Sequence, residues 1–80
     1  MSIGHVVRIK RGVTHPNRTY VVLKNKSVWL LKRSLTSVQL DMFYKALEEG
    51  RIKIHLNSYV CVRDRHGKVI PPSPEVLAAI

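Results

Sequence analysis

The middle of the chain carries a helix signal that is capped at both ends. Thr36 with Gln39 three residues later matches a capping box, and Gly50 is a natural C-terminal cap. Leu35 and Leu40 stand at the positions of a hydrophobic staple, just before the cap and four residues into the helix. The apolar stripe predicted to pack inward consists of Met42, Phe43, Ala46 and Leu47. One amphipathic helix cannot bury this stripe alone, so the flanking segments must supply a second layer.

Both flanks of the helix alternate apolar, often β-branched residues with cations, which predicts strands. The predicted strands cover residues 6–10, 19–24, 27–32, 51–56, 59–64 and 68–70. Ser73 and Pro74 then begin a short terminal helical turn, with Ser as the cap and Pro at the first position. The order β-β-β-α-β-β-β predicts an α+β fold, a small twisted antiparallel sheet or open barrel with one central helix.

The second and third strands form a predicted hairpin with functional consequences. Asn25-Lys26 suits a two-residue turn, although a slightly longer loop is an alternative. The pairs on one side of this hairpin are then Val22 with Trp29, Tyr20 with Leu31, and Arg18 with Arg33. Two aromatic rings flanked by arginines predict a platform on which unpaired bases stack. The alternative is that Trp29 and Tyr20 belong to a second core face or to a dimer contact.

Length and composition limit the function classes. The 80 residues predict a single domain over 1–80, and a hydrophobic content of 45% excludes a disordered basic tail. No apolar run is long enough to span a bilayer, so no membrane role is expected. A single cysteine, Cys61, can form no internal disulfide, which favours a reducing cytoplasm. Neither a metal nor a cofactor is expected, because no ligand spacing or phosphate-binding glycine loop is present.

Charge is segregated along the chain, whose net charge is +9. The first 35 residues contain eight cations and no acid. These cations are Arg8, Lys10, Arg11, Arg18, Lys24, Lys26, Lys32 and Arg33. A protein built this way presents a surface of one sign, and the most common polyanion to bind such a surface is nucleic acid, DNA or RNA.

Two smaller groups of cations have defined positions. Arg8 and Lys10 share one strand face, and so do Arg51, Lys53 and His55, so neighbouring first and fourth strands would make a basic stripe suited to successive phosphates. The alternative is an ordinary solvated sheet face. Lys32 and Arg33 precede the helix, where free amides and the hydroxyls of Ser34, Thr36 and Ser37 suit a phosphate; the alternative there is a normal cap.

Enzymatic signals are weak, and no catalytic residue is assigned. The minor alternative is a metal-independent ribonuclease, for which His15, Arg18 and His55 are the candidate acid–base and phosphate-binding groups. The apolar tail 76–80 either covers the open face of the sheet or joins a second copy in a homodimer.

Residues 4–9 and 18–23 together resemble the first two strands of small SH3-like barrels. That resemblance implies a barrel whose members include nucleic-acid-binding proteins and ribonuclease toxins. The leading hypothesis is therefore a non-enzymatic nucleic-acid-binding protein, an accessory or regulatory factor of a phage or mobile element as its compactness suggests. The rival hypotheses are an inhibitor that docks its basic face on an acidic host protein, and the ribonuclease.

Overall fold

The computed structural model describes residues 3–50 and 52–80. Within these residues, five strands and two helices follow the order β-β-β-α-β-β-α, which confirms the predicted α+β class. The strands are β1 (Ile3–Arg11), β2 (Thr19–Leu23), β3 (Val28–Leu31), β4 (Ile52–His55) and β5 (Tyr59–Arg63). The helices are α1 (Ser37–Glu49) and α2 (Pro74–Ala78). Arg51, predicted to begin the fourth strand, lies outside the described residues.

The strands form one antiparallel half-barrel in the order β4-β1-β2-β3-β5. β4 and β5 lie at opposite edges, yet only the 3₁₀ turn Leu56–Ser58 connects them. Because three residues span a short distance, the sheet must curl strongly so that its two edges approach each other. The amide of Lys32 donates to the carbonyl of Ser58 at 3.0 Å and links the end of β3 to this turn.

The main core lies between α1 and the concave face of the sheet. Its buried members are Val6, Ile9, Val21, Leu23, Leu31, Leu40, Ile54 and Tyr59, with Trp29, Leu35, Phe43, Leu47, Ile52 and Leu56 packed around them. The predicted capping box is present, since Thr36 and Gln39 exchange side chain to backbone bonds. The predicted stripe of α1 is wrong in part: Met42 is 65% exposed and Ala46 is also exposed, because Leu40, Phe43 and Leu47 provide the buried side of the helix.

The hairpin between β2 and β3 has a three-residue loop, Lys24 to Lys26, rather than the predicted two-residue turn. The amide of Leu23 donates to Ser27 O at 2.9 Å, and Lys26 has a φ of 73°. This left-handed residue accommodates the extra loop position, as in hairpins that close on a bulge. The longer loop shifts the pairing by one residue, so Val21 faces Trp29 and Tyr20 faces Leu30.

The predicted sixth strand is only an isolated bridge between Arg63 and Val69, extended by a bond from the Ile70 amide to Val62 O at 2.9 Å. Pairing stops there because the following Pro71 has no amide proton to donate. The predicted turn before it is confirmed, with Gly67 at a φ of 86°. The predicted cap of the tail is also confirmed, since Ser73 Oγ accepts from the amide of Val76.

The tail packs against its own chain. Val76, Leu77 and Ile80 are half-buried within the monomer. Leu30 is completely buried although it lies outside the main core cluster, so part of the convex face is covered as well.

Candidate functional site

The convex face of the sheet, the one turned away from α1, is called the outer face here. Strand pairing places on it His5, Arg8, Lys10, Tyr20, Val22, Val28, Leu30, Lys53, Val60 and Arg63. Over the residues that the structure describes, none of the five strands contains an Asp or Glu. The strands of the outer face therefore carry cations and apolar groups without an acidic side chain of their own.

The first and fourth strands are neighbours, as the predicted basic stripe requires, since β1 pairs with β4. His5 lies directly opposite Lys53. A bulge at Val7 then adds one residue to β1, so that Val6 and Ile9 both point into the core while Arg8 and Lys10 remain outside. The bulge thus keeps the cations of β1 on the same face as Lys53, although the strand changes register.

The loop between β1 and β2 continues this series of cations. The amide of Gly12 donates to Arg18 O, and the amide of Arg18 donates to His15 O, both at 3.0 Å. The guanidinium of Arg11 donates to Pro16 O from Nε at 3.2 Å and from an Nη at 3.1 Å. These bonds hold the loop in a tight fold around a concavity of about 350 Å³, which we call the basic concavity. It is lined by Lys10, Arg11, Gly12, Val13, Thr14, His15, Arg18 and Tyr20.

A second concavity adjoins the first. Its volume is about 220 Å³, and we call it the valine concavity, since Val28, Val62 and Val69 line it together with Lys10, Tyr20 and Arg63. Lys10 and Tyr20 belong to both concavities, and they face each other across the β1–β2 pair. Tyr20 is half-buried, so its ring is partly held and partly open to solvent.

Most of the acidic side chains lie away from the strands of the outer face. Asp41, Glu48 and Glu49 are exposed on α1, which packs on the opposite side of the sheet. Asp64, in the turn after β5, accepts from the amides of Lys68 at 2.9 Å and His66 at 2.8 Å. These bonds, that from Lys68 first, lower the pKa of the Asp64 carboxyl. Three of the five acids therefore lie on α1, whereas Asp64 and Glu75 lie in the turn after β5 and on α2.

The predicted aromatic platform is wrong in its geometry. The shifted register places Tyr20 on the outer face and Trp29 on the core face, so the two rings do not share a surface. Trp29 packs against the core, and its indole N–H donates to Ser27 Oγ at 2.9 Å. That hydroxyl donates in turn to Asn25 Oδ1 in the hairpin loop. Trp29 therefore lies on the core face, and of the two aromatic residues only Tyr20 lies beside the cations of the outer face.

The other predicted cation pair lies away from the outer face. Lys32 Nζ donates to Asn57 O at 2.9 Å, near the turn between β4 and β5. Arg33 borders an apolar groove of about 440 Å³ beside Met42 and Phe43 of α1. Burial raises the pKa of Tyr59, and the charge of Arg33 opposes that shift. The capping box uses the amides of Thr36 and Gln39, so these two donors are not free for a phosphate.

The ribonuclease candidates are not brought together. His15 and Arg18 line the basic concavity beyond the C-terminal end of β1, whereas His55 pairs with Ile3 at its N-terminal end. Arg11 lies eight positions after Ile3 in β1, a distance of roughly 25 Å along a strand. Among the residues described, no three His, Cys, Asp or Glu side chains are grouped as metal ligands would be.

Sequence reasoning missed Arg63 and Val69 as parts of this surface. Arg63 reaches the outer face because a bulge in β5 sets it opposite Val28, and Val69 reaches it through its bridge to Arg63. A period-two pattern read along one strand cannot reveal either contact, since both depend on which strands become neighbours.

Comparison of the chain with protein-family models, curated proteins and solved structures gives no significant match. In the part of the chain that is described, no helix has the length and apolar character needed to cross a membrane.

Proposed function

We propose that this protein binds nucleic acid through its outer face. The observation that supports this proposal most strongly is the series of cations Lys53, Arg8 and Lys10, on strands that carry no acid, which Arg18 continues in the adjoining loop. Phosphates succeed one another along a nucleic acid strand, so a linear array of cations neutralises several of them at once and releases their counterions.

The position of the acids distinguishes this surface from an ordinary solvated one. Surfaces of soluble domains usually intersperse both signs of charge. Here three of the five acids, Asp41, Glu48 and Glu49, lie on α1, on the far side of the sheet. A polyanion that approaches the outer face is attracted by its cations and kept away from those carboxylates, so the field orients the encounter as well as strengthening it.

The experiment compares two charge reversals of equal size. Lys10→Glu changes a cation that borders both concavities, whereas Lys45→Glu changes an exposed cation on α1. Each substitution lowers the net charge by about two, so a general charge effect would weaken both variants equally. Affinity is measured by fluorescence anisotropy with labelled DNA and RNA oligonucleotides at low salt, after circular dichroism has confirmed folding.

We expect Lys10→Glu to weaken binding by about tenfold or more, equivalent to about 1.4 kcal/mol, and Lys45→Glu to weaken it much less. Equal losses in the two variants would show that net charge alone drives association and that the outer face has no special role. Absence of binding by the unmodified protein to all oligonucleotides would refute the proposal.

A further inference from the structure

We infer that the two adjoining concavities form a subsite for one unpaired nucleotide, with the base in the valine concavity and its phosphate in the basic concavity. The inference rests on the proposed function and specifies its ligand as single-stranded nucleic acid. The observation that supports it is that one space is lined mainly by cations and the other mainly by valines, while Lys10 and Tyr20 line both.

The valine concavity has the properties that a base requires. Val28 and Val62 provide an apolar floor, and Val69, which is 64% exposed, forms an open rim. Tyr20 stands at its border with a ring that is half-buried and therefore restricted in orientation. A planar base that enters this space gains contact with an aromatic ring and with methyl groups, and such stacking tolerates any base identity.

The basic concavity has the properties that a phosphate requires. Lys10 borders both spaces, and Arg18 and His15 of the loop also line the basic concavity. The loop is held by its internal hydrogen bonds before any ligand arrives, so little ordering is needed on binding. Arg63 lines the valine concavity on the side away from Lys10, where it is placed to bind the next phosphate of an extended nucleic acid strand.

This arrangement favours an unpaired base over a duplex. In a duplex the bases are stacked on one another and their faces are closed to protein side chains, so contact is limited to phosphates, sugars and base edges in the grooves. An unpaired base is free to leave the strand axis and enter a space beside its own phosphate. The subsite therefore predicts a dependence on the base itself, which a surface that binds only phosphates would lack.

The experiment uses three probes of equal length, a thymidine oligonucleotide, the corresponding abasic oligonucleotide with the same phosphates, and a duplex. Tyr20→Ala removes the ring, and Tyr20→Phe keeps it. We expect Tyr20→Ala to weaken binding of the thymidine strand by roughly 5- to 150-fold, the range for loss of one base stack, and Tyr20→Phe to retain nearly full affinity. The abasic strand should bind less tightly than the thymidine strand and respond little to Tyr20→Ala.

A second pair of variants keeps the test valid if Tyr20→Ala perturbs folding. Val69→Asp places a carboxylate at the rim of the valine concavity, and Val38→Asp makes the same change at a site of similar exposure, 69% against 64%, on α1. Only Val69→Asp should weaken binding of the thymidine strand. Equal affinity of the protein for the abasic and thymidine strands, or an undiminished affinity of Val69→Asp, would overturn the subsite while leaving the proposed function intact. Failure of every probe to bind would instead refute the proposed function.

Discussion

The close approach of the β1–β2 loop to Gly12 offers a sharp test of how the basic concavity is built. A Cβ atom at Gly12 would lie closer than 3.0 Å to the carbonyl oxygen of His15. Backbone cannot move aside as a flexible side chain can, so Gly12→Ala must open the loop. Gly50→Ala is the matched control, because a Cβ at that position meets nothing within 4 Å.

The cost of opening the loop follows from the bonds that close it. The two backbone hydrogen bonds, Gly12 N to Arg18 O and Arg18 N to His15 O, are both 3.0 Å long. Each contributes about 0.5–1.5 kcal/mol net, so Gly12→Ala should lower the free energy of unfolding by about 1–3 kcal/mol. A domain of this size has a total stability of about 4–12 kcal/mol, so the variant should remain folded at 25 °C.

The assay is urea unfolding followed by circular dichroism, together with oligonucleotide binding by anisotropy. Gly50→Ala should stay within about 0.5 kcal/mol of the unmodified protein. Gly12→Ala should also bind several-fold more weakly although no charge has been removed, since Arg18 and His15 move away from Lys10. Indistinguishable unfolding midpoints for the two variants would refute the close loop packing described here.

Three further expectations concern the hairpin and the core. Lys26 has a φ of 73°, a left-handed conformation that is strained for most residues other than glycine. In urea unfolding, Lys26→Gly should therefore be about 1 kcal/mol more stable than Lys26→Ala, which loses the same charge but keeps the strain. Trp29→Phe loses the bond to Ser27 and should lower stability by about 1–3 kcal/mol without weakening oligonucleotide binding, and any quenching of Trp29 emission by an oligonucleotide would contradict its assignment to the core face. Burial raises the pKa of Tyr59 above its ordinary value. The resulting contribution to stability is therefore complete below the pKa of the unfolded state and is lost as pH rises through the pKa of the folded state. The free energy of unfolding of Tyr59→Phe, measured in urea, should therefore decline less than that of the unmodified protein as pH rises above about 10.

Local signals in the sequence predicted the helix well because its boundaries are set by nearby residues. The capping box of Thr36 and Gln39 needs only four consecutive positions, and so does the turn that Gly67 closes. The five strands were also predicted, because apolar, often β-branched residues alternate with cations on both flanks of the helix. The sidedness of α1 was less accurate, since Met42 is as apolar as Phe43 and only the placement of the sheet decides which is covered.

The candidate site depended on pairings that the sequence leaves open. One extra loop residue at Lys26 moved Trp29 to the opposite face from Tyr20, because the side chains of a strand alternate with a period of two. The cations of β1 do share the outer face as predicted. The bulge at Val7 allows Val6 and Ile9 both to point into the core, and it leaves Arg8 and Lys10 on the outer side. The fold of the loop at Gly12 and the position of Arg63 on the outer face could be recognised only from the assembled sheet.

The salt dependence of binding tests the central claim most directly. If the outer face neutralises about five phosphates of a single strand, the logarithm of the affinity should fall with the logarithm of salt concentration with a slope near −3.5. Lys10→Ala removes one such contact and should make the slope shallower by about 0.7, while Lys45→Ala, on the opposite side of the sheet, should leave it unchanged. A slope near zero, or an equal change in both variants, would contradict binding through the outer face.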